Sequence, residues 1–250
     1  MGIALITVIA TFLFVAPYPQ WPEYHRFADD RTFFGIANAH NVISNIGFLI
    51  VGVWGTLFVL SRSGKAATRQ MRASYLAYFI GVFLTALGSA YYHYQPDDRT
   101  LVWDRLPMTI MFMGFFAAVI GELISSRTGN RLLAPLLIVG ALSVLYWART
   151  ESIGAGDLRL YGLVQFLPFI MIMLMLIMYT APQHYASYIV GLAALLALAK
   201  LCELFDAEIY RTLGWVSGHA LKHLFGAAAT ASVLLMLCHR RRLAKMGIRN

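Results

Sequence analysis

RLYGLVQFLPFIMIMLMLIMYT, residues 159–180, holds no charged side chain after Arg159. It is long and continuously apolar, and a helix that crosses a bilayer needs about 20 such residues. Further apolar runs lie at 42–60, 73–93, 106–124, 132–148, 185–203 and 217–238. Inside lipid every backbone polar group must find its partner within the segment, which favours helices. A β-barrel would need short alternating segments instead. The chain therefore reads as an all-α polytopic membrane protein with a seven-helix bundle. It forms one membrane domain over 1–250: a core at 38–238, a basic tail at 239–250, and a short extra apolar helix at 3–16, IALITVIATFLFVA. That last run is too short for a comfortable span. It has no basic residue before it and no clear small-residue cleavage site, so it makes a poor signal peptide.

Composition agrees. Of 250 residues, 59% are hydrophobic and 13% charged, where soluble domains carry about 25% charged residues. The formal net charge of +8 does not call for nucleic acid, because the basic residues gather where a membrane protein keeps its cytoplasmic charge. Residues 61–72 hold Arg62, Lys65, Arg69 and Arg72 with no acid, 125–131 hold Arg127 and Arg131, and the tail holds Arg240, Arg241, Arg242, Lys245 and Arg249. The loops 94–105, 149–158 and 204–216 then lie outside, and the C-terminus is cytoplasmic. Cys202 and Cys238 fall near opposite membrane faces and are not expected to pair.

Ionisable and metal-binding residues stand at the span ends. Ser89 and His93 share a helix face at the end of the second span, Asp104 opens the third in WDRLPM, and His219 and His223 share a face at the start of the seventh in SGHALKHL. In the orientation above all of them reach the same depth on the same, outer side. Three imidazoles with one open position form the ligand set of a catalytic zinc, and ionisable groups within spans are functional candidates. Each residue also has an ordinary reading. A histidine at a span end often packs at the interface, Asp104 has Arg99 and Arg105 nearby as ion-pair partners, and a helical serine often bonds back to its own helix.

SAYYH, WDRLPM and SGHALKHL together resemble the alkaline ceramidase family, in a bacterial-type branch, within the superfamily of seven-helix membrane hydrolases that includes the progestin and adiponectin receptors. The resemblance covers roughly 38–238, and NVISN at 41–45 resembles the start of the family's first core helix. It implies zinc held by His93, His219 and His223, with Ser89 and Asp104 at the reacting group. It implies hydrolysis of the amide bond of a ceramide-like or other N-acyl lipid by a zinc-bound water, in a bacterial cell membrane. Eukaryotic members also hold calcium through an acidic cluster and a glutamate. Here Glu23, Asp29 and Asp30 are differently spaced and Asn38 stands at the glutamate's place, so calcium is left open.

In chemical terms Asp104 is the candidate general base and then acid, and Ser89 the candidate donor to the developing oxyanion. Lys200, Glu203 and Asp206, three apart, are candidates to orient the headgroup or support a histidine, with an internal ion-pair network as the equal alternative. FLPFIMIMLMLIMYTA at 166–181 offers pliable surface for an acyl chain, or plain packing surface. Two rival functions remain. A receptor of the progestin and adiponectin type would use the zinc structurally, but such receptors usually bear a soluble N-terminal region. A metal or proton transporter would need polar residues on both sides of the midplane.

Overall fold

The computed structural model describes residues 2–247, which excludes Arg249 of the expected tail. Among the described residues there is no strand, only one isolated bridge between Phe33 and Ile36. Seven helices are long and apolar enough to cross a membrane: Ala39–Leu60, Arg69–Tyr94, Asp98–Leu123, Ser126–Ser152, Arg159–Met178, Gln183–Leu204 and Gly218–Lys245, here the first to seventh spans. The N-terminal helix Gly2–Phe14 has 13 residues, about 20 Å at 1.5 Å per residue, against a hydrocarbon core of about 30 Å. It lies against the fifth span, where Arg159 stacks over Phe12 at 4.8 Å.

The helices run past the apolar cores at several ends, for physical reasons. The third span starts at Asp98 rather than near 106, because Asp97 and Thr100 form a capping box that satisfies the free N–H groups of the first turn. Asp104 is therefore in the second turn of a formed helix, not in a loop before one. The fourth span starts at Ser126, and the seventh continues through the arginines to Lys245, since long basic side chains are good helix formers.

The second, third and seventh spans form the interior. Their most apolar windows are 50–56% buried, against 22–39% for the other four. Neighbouring helices approach through glycines. A Cβ on Gly81 would stand 2.5 Å from the Met111 backbone nitrogen, the kind of close backbone contact that small residues permit in membranes. At one end of the bundle the buried Arg240 guanidinium pairs with Glu122 at 2.7 Å and ties the seventh span to the third. The candidate site lies at the other end, where the second span finishes and the third and seventh begin.

Candidate metal centre

Two glycines bring the site's helices together. Gly88 faces the third span, and a Cβ there would lie 1.9 Å from the Trp103 carbonyl oxygen. No other residue lets the second span sit this close to the turn that carries Asp104. Gly218 does the same at the start of the seventh span, where a Cβ would lie 2.1 Å from the Cys202 carbonyl oxygen at the end of the sixth. The helix then begins cleanly: Ser217 accepts from the Ala220 N–H at 3.1 Å, an N-cap, and the His219 N–H donates to Asp206 Oδ1 at 2.7 Å. His219 and His223, one turn apart, point inward and meet His93.

The three imidazoles are buried, with ring centroids 4.7, 4.8 and 5.0 Å apart. Their ligand nitrogens all lie within 4.8 Å of one another, the one such donor group among the described residues. The far nitrogens decide the tautomers. His93 Nδ1 is 2.7 Å from the Ser89 carbonyl oxygen. A carbonyl only accepts, so the proton is on Nδ1 and Nε2 keeps its lone pair. His223 Nδ1 is 2.8 Å from Ser44 Oγ, whose own hydrogen goes to the Asn41 carbonyl oxygen at 3.0 Å, so Ser44 accepts from His223 in turn. His219 Nε2 receives the Lys222 ammonium at 2.9 Å. It too is an acceptor, because an ammonium has only donors.

The result is two acceptor nitrogens, His93 Nε2 and His219 Nε2, facing each other at 2.7 Å. The Lys222 ammonium takes the His219 lone pair here; a metal ion would take it in the ammonium's place and could draw on His93 Nε2 as well. Neutral imidazoles with converging lone pairs, two of them with the far nitrogen tied to an oxygen, suit a divalent ion that takes nitrogen ligands. The residues fit a metal.

The remaining predicted residues take distinct places. Ser89 is buried. Its hydroxyl oxygen lies 3.3 Å from His93 Nδ1 rather than on a carbonyl of its own helix. Asp104 is half-buried and is not one of the converging ligands. Arg105, its expected ion-pair partner, is engaged elsewhere: it donates to Gln20 Oε1 at 2.5 Å and stacks on Trp147 at 4.1 Å. Of the three supporting candidates, none touches an imidazole. Asp206 holds the His219 main chain and the Ala28 N–H. Glu203 pairs with Lys200 at 2.5 Å and with Lys222 at 3.2 Å. The ion-pair alternative thus describes Lys200 and Glu203. In the 166–181 stretch Ile172 and Met175 are core residues, while Phe166, Ile170, Ile177 and Met178 are exposed on the bundle surface.

Three contributors are not among the candidate residues of the sequence reading, although Ser44 lies in NVISN and Lys222 in SGHALKHL. Ser44 orients His223. Lys222 reaches His219. Phe27, from the segment before the first span, roofs the site with its ring 4.8 Å from His93 and 4.7 Å from His219. Hydrogen bonds hold that segment down: the Ala28 N–H to Asp206, His25 to Tyr92 and Asp98, each near 3 Å, and Asn38 Nδ2 to the His93 carbonyl oxygen at 2.8 Å. Within the same segment Asp29 is buried, which alone would raise its carboxyl. Hydrogen bonds from Arg31 and His40 outweigh that and hold it down at about 2. Its oxygens are spent on that pairing. The only available signal for Lys222 was its position three residues after His219, which puts both on one helix face.

No protein-family model matches the chain, and no curated protein matches it either.

Proposed function

We propose that this membrane protein is a zinc-dependent hydrolase that cleaves the amide bond of a ceramide-like or other N-acyl lipid. The observation that carries the reading is a buried triad of acceptor nitrogens with a carboxyl group, Asp104, outside the ligand set, on the turn packed against Gly88 in the helix that carries His93. This is the division between metal ligands and acid–base group that hydrolysis needs. A bound zinc would supply Lewis acidity toward a carbonyl and make a water nucleophilic near neutral pH. Asp104 takes the proton of the attacking water and returns it to the amine as the carbon–nitrogen bond breaks. Ser89 stands one turn before His93, its hydroxyl 3.3 Å from His93 Nδ1, at the place of a donor to the reacting group. Phe27 covers the imidazoles and keeps bulk water from them, and the seven spans hold the site at the depth of an amide just below the lipid headgroups. The resemblance to alkaline ceramidases supports the same substrate class.

The test is turnover by the purified, zinc-loaded chain of a panel of N-acyl and O-acyl lipids, followed by mass spectrometry with and without a chelator. Release of fatty acid from an N-acyl lipid, abolished by chelation and restored by zinc, is the expected result. Stoichiometric zinc with no release from any lipid on the panel overturns the hydrolase reading and leaves the receptor-type one.

We also propose that the chain sits in a bacterial cell membrane with its C-terminus in the cytoplasm and the triad toward the outer face, following the distribution of basic residues. A single cysteine placed at Lys65 or Lys245 should react with an impermeant thiol reagent only after the membrane is opened, and one at Asp98 in intact cells. The reverse pattern moves the site to the inner leaflet.

A further inference from the structure

The seventh span carries a cation into the candidate site that the reaction above does not use. Lys222 lies three residues after His219 and directly before His223. A lysine near the end of a membrane helix usually extends its stem toward water. Lys200 does so, with 54% of its side chain exposed, whereas the Lys222 side chain is 21% exposed. It bends inward, with Nζ 2.9 Å from His219 Nε2, and Glu203 Oε1 at 3.2 Å holds it there. Glu203 is itself steadied by Lys200 on its other oxygen.

The placement is costly unless something negative joins it. An imidazole nitrogen has one lone pair, so a metal on His219 Nε2 would displace the ammonium from it and leave the Lys222 charge beside the ion, held by Glu203. Like charges a few ångströms apart inside a protein repel strongly. The acids nearby do not relieve this fully. Both Asp206 oxygens are taken by backbone N–H groups, and Glu203 is shared between two lysines.

We propose that Lys222 is the anion-binding side chain of the site: it donates to the acyl oxygen as that oxygen becomes negative, and afterwards to the carboxylate of the released fatty acid. The proposal rests on the hydrolase reading. When water adds to the carbonyl carbon, the π pair moves onto oxygen and Lys222 hydrogen-bonds to that charge, while Asp104 takes the proton from the water. On collapse the carbon–nitrogen pair leaves on nitrogen and takes the proton from Asp104. The products are an amine and a fatty acid, which ionises to a carboxylate facing Lys222.

The experiment measures binding as well as turnover, on the full zinc-loaded chain in detergent. Palmitate and hexadecanol are titrated against the parent protein, Lys222→Met, Lys222→Arg and Glu203→Gln, with zinc content measured for each. Lys222→Met should keep about one zinc per chain and bind hexadecanol as the parent does. It should bind palmitate at least about tenfold more weakly and lose about 10²–10³-fold in kcat with little change in KM, the usual effect of removing one oxyanion donor. Lys222→Arg should recover part of both. Glu203→Gln, which frees the lysine but keeps its charge, should weaken palmitate binding less than Lys222→Met does. Equal palmitate affinity in Lys222→Met and parent overturns the proposal, as does loss of zinc from Lys222→Met, which would make the lysine a support of the metal site. The two readings also fail separately. Lysine-dependent palmitate binding without turnover of any N-acyl lipid sinks the hydrolase and leaves the anion site. Normal turnover by Lys222→Met leaves the hydrolase and removes the lysine.

Discussion

Asp104→Asn is expected to keep both the metal and the helical fold while losing about 10²–10⁴-fold in turnover of an N-acyl lipid, the range general acid–base groups contribute. The replacement is nearly isosteric, but an amide cannot take a proton from water. The fold should tolerate it. Asp104 makes no ion pair that would be left broken, since Arg105 is occupied by Gln20 and Trp147, and the residue is only half-buried. Metal content by mass spectrometry, circular dichroism and lipid turnover on one preparation check all three statements. A variant with metal and near-normal turnover removes Asp104 from the chemistry. A variant without metal makes Asp104 a ligand, and the count of three would then have to be revised.

His219→Ala and His223→Ala are each expected to strip the metal. The parent should purify with about one zinc per chain. Loss of a hydrogen-bond partner of a ligand already costs about 10–100-fold in metal affinity, so loss of a ligand should cost at least about 100-fold and leave the chain largely empty after dialysis. Alanine removes the imidazole without disturbing the seventh helix, where alanine is the best helix former. Ser44→Ala gives the graded comparison. It leaves all three ligands but frees His223 Nδ1, and should weaken the metal within the 10–100-fold range. Full zinc in both histidine variants would show that the ion, if bound, is held elsewhere.

Much of this architecture is local, and local features are legible in a sequence. Seven spans follow from run length and apolarity, because the bilayer's thickness sets a threshold that each segment meets alone. That His219 and His223 share a face follows from the helical period, as does the shared face of Ser89 and His93. The third span was harder. Asp98, Arg99, Asp104 and Arg105 mask its first turns in any hydropathy reading, and only the Asp97–Thr100 capping box reveals that a helix starts there.

Tertiary structure decided the rest. That His93 meets the other two imidazoles depends on how three helices are rotated and how closely they approach. Gly88 and Gly218 permit that approach, but no period in the sequence announces it. Asp104 had two arginines beside it in the chain and a serine fifteen residues back. Packing gave Arg105 to Gln20 and aromatic faces and set the Asp104 turn against Gly88, the neighbour of Ser89. Lys222 had two ways to point, outward along the membrane interface or inward to the histidines, with nothing local to choose between them. Glu203, nineteen residues earlier on another helix, settles it. Phe27 reaches the site from a segment with no periodicity at all, held by contacts to residues far along the chain. The sequence by itself determined which segments enter the membrane and which faces carry chemistry, because those depend on spacing along one helix. Only the packed bundle decided which of those faces meet, because that depends on close contacts between helices distant in the chain.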